Sequence, residues 1–103
     1  MTMPRVVPPR ESEKGFQGWV TDLADATGWE WWHTWLSIHS PAGWPDLNLC
    51  RPPRLILAEV KGTGGKLSPA QKRTIALLKQ VPGIEVYVWW PDDRPRIEEL
   101  LRK

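Results

Sequence analysis

Apolar residues recur along the chain in two different rhythms, and the change of rhythm marks the elements. Between Glu11 and Thr27, Phe16, Trp19, Val20, Leu23, Ala24 and Ala26 return at three-to-four-residue spacing, and Gly28 stands where a helix would stop. This pattern predicts a first helix. The next stretch, WEWWHTWLSIH from Trp29 to His39, is crowded with aromatic and β-branched residues and runs into Ser40-Pro41-Ala42-Gly43. It reads as a strand with tryptophans on both faces, followed by a loop. Asp46–Cys50 and Leu55–Lys61 then flank Arg51-Pro52-Pro53-Arg54, two strand-like runs about a tight proline turn, which predicts an antiparallel hairpin. Gly62-Thr63-Gly64-Gly65 is loop. Ser68-Pro69 supplies an N-cap with proline at the first helical position, and Ala70 to Gln80 carries the apolar stripe Ile75, Leu78 and Val81 of a second helix. Pro82-Gly83 ends it, Ile84–Trp90 alternates as a strand, and Asp92 or Asp93 caps a last helix through Leu101. The order is α-β-β-β-α-β-α, a mixed α/β class with both antiparallel and parallel neighbours.

Composition narrows the picture. At 103 residues, of which 41% are hydrophobic, the chain is the size of one domain with a real core. The expected division is a flexible arm over residues 1–10 and a single domain over 11–103. The formal charge is only +2, so overall balance does not announce a nucleic-acid binder and any such case rests on placement. The single cysteine, Cys50, forms no internal disulfide, and the absence of zinc-type Cys/His spacing leaves the cytoplasm as the default compartment. MTMPRVVPPR lacks the apolar run of a signal peptide or a membrane anchor. There is no internal repeat.

The candidate chemistry sits at the end of the hairpin. Strand side chains alternate faces, so Glu59 and Lys61 share one face with Leu55 and Leu57. A hairpin symmetric about Pro52-Pro53 opposes Cys50 to Leu55 and Asp46 to Glu59. Opposed residues have Cβ atoms about 4.5–5.5 Å apart, and like charges there are destabilising. The pair calls for a cation: Lys61 in part, or a divalent ion of the Mg²⁺ type, which takes oxygen ligands and keeps several waters. The bland alternative is a solvated strand end. Gly62 to Lys66 does not make a phosphate-binding loop of the Walker type, because Val60 stands where glycine is needed and Leu67 where serine or threonine is needed.

Pro45-Asp46 followed by Glu59-Val60-Lys61 resembles the PD-(D/E)XK nuclease signature. Together with Glu13 and Gln17 on the first helix, Gly43-Trp44-Pro45-Asp46, and Leu67-Ser68-Pro69-Ala70-Gln71 on the second, the chain resembles the VRR-NUC branch of that superfamily. The resemblance spans Glu13 to Leu101 and implies a restriction-endonuclease-like core, a mixed central sheet flanked by helices. It implies Glu13, Asp46, Glu59 and the backbone carbonyl of Val60 as ligands of Mg²⁺ or Mn²⁺, and Asp46, Glu59, Lys61 and Gln71 as the catalytic group. Glu11 is the rival of Glu13, and the four-residue spacing to Gln17 favours Glu13. Gln17, Lys66, Lys72 and Arg73 are the residues expected near DNA, Lys79 being as readily a solvated charge. His33 and His39 are weaker candidates for the metal or a phosphate. Of eight tryptophans most are expected in the core, with one of Trp31/Trp32 and one of Trp89/Trp90 exposed for a base or partner.

The function so implied is metal-dependent, structure-selective DNA endonuclease activity on branched or nicked duplex, of the nicking or Holliday-junction kind. The resemblance also implies a homodimer, without a membrane role, in the cytoplasm of a bacterial or phage-infected cell. Two rivals come from other classes. One is a non-catalytic nucleic-acid-binding module on the same fold; the other is an interaction domain built on tryptophan surfaces.

Overall fold

In a computed structural model of the protein, residues 10–34 and 43–103 are described. Their elements follow the order expected: α1 (Glu13–Ala26), β1 (Glu30–His33), β2 (Leu47–Arg51), β3 (Arg54–Val60), α2 (Pro69–Leu78), β4 (Glu85–Trp89), a single 3-10 turn at Pro91–Asp93, and α3 (Arg94–Arg102). The sheet runs β1-β2-β3-β4, antiparallel across the first three strands and parallel between β3 and β4. A parallel neighbour needs a crossover, and α2 is that crossover.

Alternation on the strands divides the core into two layers. Leu47, Leu49, Ile56, Ala58, Val60 and Trp89 pack against Phe16, Val20, Leu23 and Ala24 of α1 and Ile97 and Leu101 of α3. On the opposite face Leu57 and Val86 meet Ile75 of α2, with Leu67, Leu78, Ile84 and Val88 around them. The first layer is the larger. Each fully buried Leu, Ile or Phe contributes roughly 1.5–3 kcal/mol, so this layer outweighs a few unfavourable contacts elsewhere.

The end of α3 is fixed by polar contacts that sequence periodicity does not report. Trp29 Nε1 donates to the Leu101 carbonyl at 2.9 Å, Arg51 Nη1 to the same carbonyl at 2.9 Å, and Arg54 Nη1 to that of Leu100 at 3.2 Å. These donors satisfy carbonyls that the end of a helix leaves without partners. Both guanidinium groups also lie over the Trp29 ring, at 4.5 and 4.9 Å.

Several boundaries differ from expectation. The first helix begins at Glu13 rather than Glu11, because the Ser12 hydroxyl accepts from Gly15 N–H and so caps it there. α2 stops two residues early at Leu78. The strand expected through His39 is described as far as His33; the remainder of that expectation, with His39, lies outside the described residues, as does the expected arm through residue 9. Arg10 is not free: its Nη2 donates to Thr63 O at 3.1 Å.

Candidate metal centre at the strand ends

The hairpin keeps the register that the proline turn implies, with Cys50 opposite Leu55 and Leu47 opposite Ala58. Continuing it one step sets Asp46 across from Glu59. Asp46 Oδ2 accepts from Val60 N–H at 3.1 Å, which ties the end of β2 to the end of β3. The loop carrying Asp46 is pressed onto α2. Gly43 has φ +109°, and a Cβ there would sit 2.6 Å from the Ala70 carbonyl oxygen. Both features restrict the position to glycine. Gly43→Ala is therefore expected to lower stability by about 1–3 kcal/mol, read as a lower midpoint in urea unfolding; an unchanged midpoint would show that the loop does not rest on α2.

Glu59 is on the α2 face of the sheet and is 1% exposed. Its Oε1 accepts from Gln71 Nε2 at 3.1 Å and lies 3.6 Å from Lys61 Nζ. Lys61 Nζ in turn donates to Gln71 Oε1 at 3.0 Å. Gln71 owes its orientation to the start of α2: its Oε1 also accepts from Ser68 N–H at 2.8 Å, while Ser68 Oγ accepts from Gln71 N–H. That reciprocal pair is a capping box. The residues that start the helix thus also aim the amide that joins Glu59 to Lys61.

Glu59 Oε2 is buried with no hydrogen-bond partner. A buried polar atom without a partner costs about 1–3 kcal/mol, more if charged, so it calls for an explanation. Carboxylate oxygens of Glu13, Asp46 and Glu59 lie within 4.8 Å of one another, Glu13 arriving from the exposed first turn of α1. Burial first, then the nearby Asp46, push the Glu59 carboxyl up to about 8, with Lys61 pulling the other way. Three converging carboxylates with one unsatisfied oxygen are the donor set of a hard divalent cation, and the chain fits such an ion.

Glu11 and Glu13 stand in different surroundings. Glu11 is bound bidentately by Arg94, Nη1 to Oε1 at 2.7 Å and Nη2 to Oε2, and this holds its carboxyl below the usual range. Glu13 is the residue in the cluster. Gln17 is half-buried one turn along the same helix face. Lys72, Arg73 and Lys79 lie on or just past α2 and Lys66 just before it, and none of the four takes part in an ion pair among the described residues. His33 is edge-on to Trp31 at 5.1 Å, outside the acidic cluster.

Among the tryptophans, Trp32 is 55% exposed while Trp31 packs on the core, as alternation requires. Trp89 is buried. Trp90 is half-buried rather than exposed, because its Nε1 donates to Gly65 O at 2.8 Å and braces the loop after Lys61. Trp44, beside Pro45-Asp46, is 44% exposed. The sequence missed Thr63 and Arg94 altogether. Neither belongs to a local pattern, and Arg94 meets Glu11 across 83 positions.

The model of one protein family, the VRR-NUC domain, matches residues 17–90. That span holds Asp46, Glu59, Lys61 and Gln71 and begins after Glu13. No curated protein and no solved structure matches the chain.

Proposed function

The chain belongs to the VRR-NUC family, which implies a nuclease-type function on DNA, and on that premise we propose that it is a Mg²⁺- or Mn²⁺-dependent endonuclease selective for DNA structure. The observation that carries this reading is the buried, unpartnered Glu59 Oε2 within a cluster of three carboxylates. A domain that only bound nucleic acid would gain nothing from such a repulsive group. Glu13, Asp46 and Glu59, with the Val60 carbonyl, are the residues that would hold the ion.

A bound divalent ion supplies polarisation of the phosphoryl oxygens, a lowered pKa for attacking water and compensation of charge on the leaving oxygen. Lys61, fixed by Gln71 Oε1 at 3.0 Å, presents its ammonium to the phosphoryl oxygens, where negative charge accumulates as water adds and the P–O bond breaks. Gln71 links that ammonium to Glu59, its Oε1 accepting from Lys61 and its Nε2 donating to Glu59 Oε1. Lys66, Lys72 and Arg73 would meet flanking phosphates, with Gln17 close to the strand, and would make binding salt-dependent. A domain of this size presents little surface to a duplex. A homodimer with paired sites on a branched or nicked DNA, in the cytoplasm of a bacterial or phage-infected cell, therefore completes the reading. No helix among the described residues is long and apolar enough to cross a membrane.

The test is cleavage of labelled plain duplex, nicked, flap and four-way-junction DNA with Mg²⁺, Mn²⁺ or EDTA, comparing wild type with Lys61→Ala. Cleavage is expected only with metal, fastest on one of the non-plain substrates, and about 10²–10³-fold slower in the variant. Binding without cutting under every condition would replace the enzyme with a binding module. Equal rates on all substrates would remove structure selectivity.

A further inference from the structure

Glu13 is the one member of the acidic cluster whose side chain is exposed, so its place in the cluster depends on where the backbone of the first turn of α1 is held. That backbone is clamped by contacts from two distant parts of the chain. Thr63 N–H donates to Glu11 O at 2.9 Å, and Glu11 N–H donates to Thr63 Oγ1 at 2.9 Å. Gly62 lies so close beneath this segment that a Cβ there would be 2.7 Å from both Glu11 O and Glu13 N. On its other side the Glu11 carboxylate takes both nitrogens of Arg94, the residue that opens α3. The guanidinium is itself fixed, over the rings of Phe16 at 5.1 Å and Trp19 at 4.9 Å and on Pro91 O at 3.3 Å. A bidentate pair of this kind sets direction as well as attraction.

We infer that Glu11 and Arg94 are a positioning pair, which with Thr63 sets the reach of Glu13 into the metal site and makes α3 part of that site's support. Neither residue touches the ion; both act through the next-but-one glutamate. The inference rests on reading the carboxylate cluster as a metal site, and it predicts that breaking the pair weakens metal binding only while Glu13 is there to be positioned.

A double-mutant cycle reads this directly. Mn²⁺ affinity is measured by calorimetry, well below the melting temperature, for four proteins: wild type, Glu13→Gln, the paired Glu11→Gln with Arg94→Gln, and all three changes together. The paired substitution leaves net charge unchanged, so a general electrostatic effect on the cation is removed. Loss of a group that orients a ligand typically lowers metal affinity about 10–100-fold, and a drop of about tenfold is expected with Glu13 present. In the Glu13→Gln background the paired change should alter affinity less than about twofold, because no ligand is left there to position. An equal drop in both backgrounds, or none in either, overturns the inference, since a merely structural pair would not distinguish them. Should the paired variant fail to fold, Thr63→Val, which takes away one hydrogen bond from Glu11 N–H, carries the same cycle with the same outcomes. If wild type takes up no Mn²⁺ and Asp46→Asn titrates identically, the metal reading itself falls and this inference with it. If wild type binds and Asp46→Asn does not, a failed cycle removes the positioning pair alone.

Discussion

Asp46→Asn is expected to slow DNA cleavage by about 10²–10³-fold or more and to weaken Mn²⁺ binding sharply, while leaving the metal-free protein as stable as wild type or slightly more so. Asparagine has nearly the shape of aspartate, and its amide oxygen can still accept from Val60 N–H, the contact that ties β2 to β3 at 3.1 Å. What disappears is the charge on one of three carboxyl groups whose oxygens lie within 4.8 Å of one another. Without the ion the Asp46 charge adds to the cost of ionising the buried Glu59 beside it, so losing it lightens that cost; with the ion it is a ligand, so losing it removes affinity. The opposite signs of the two effects are the signature of a site shaped for a cation. Single-turnover cleavage, a Mn²⁺ titration and a thermal melt in EDTA measure the three quantities. A variant that cuts at the wild-type rate would remove Asp46 from the reaction, and a large drop in metal-free melting temperature would make it a structural residue.

Most of the architecture was legible in the sequence because it is local. Period-two and period-3.6 patterns mark the elements, and the Pro52-Pro53 turn fixes a register in which Cys50 meets Leu55, from which the opposition of Asp46 and Glu59 follows. Gln71 came through the family resemblance alone; that it is the third residue after a serine cap, held in a capping box, is visible only in the fold. What escaped depends on contacts between distant segments. The spacing to Gln17 already favours Glu13 over Glu11, but the partner that draws Glu11 away, Arg94 from 83 positions on, carries no local signal. The Trp29, Arg51 and Arg54 donors that close the end of α3 meet carbonyls at Leu100 and Leu101, and nothing in a strand sequence announces that. Strand alternation sends one of Trp89 and Trp90 outward, and Trp90 is the less buried of the two. Its indole N–H is nonetheless bonded to Gly65, a partner supplied by a loop with no pattern of its own.

The second large effect concerns the proton on Glu59. Its folded value of about 8 stands above the ordinary 4.5, and the cause is burial first and the nearness of Asp46 second. The native state therefore holds a proton that the unfolded chain releases, and between these two values stability must fall as pH rises. Its contribution is complete below about pH 4.5 and is lost as pH climbs through about 8. Metal-free wild type should accordingly melt several degrees lower at pH 9 than at pH 5, given about 4–8 °C per kcal/mol for a domain of this size. Glu59→Gln carries in permanent form the neutral group that protonation supplies, and its melting temperature should lack this decline, equalling wild type at pH 5 and exceeding it at pH 9. Saturating Mn²⁺ should reverse the order. It stabilises whichever protein binds it, and binding requires the carboxylate to give up its proton, so wild type gains most at high pH while the glutamine variant gains little. Melting curves at pH 5, 7 and 9, each with EDTA and with Mn²⁺, test both halves. A flat wild-type profile in EDTA would mean that Glu59 ionises at no cost, and the case for a buried acid awaiting a cation would lose its footing. A decline that Mn²⁺ restores in wild type and not in the variant ties that proton to the ion which displaces it.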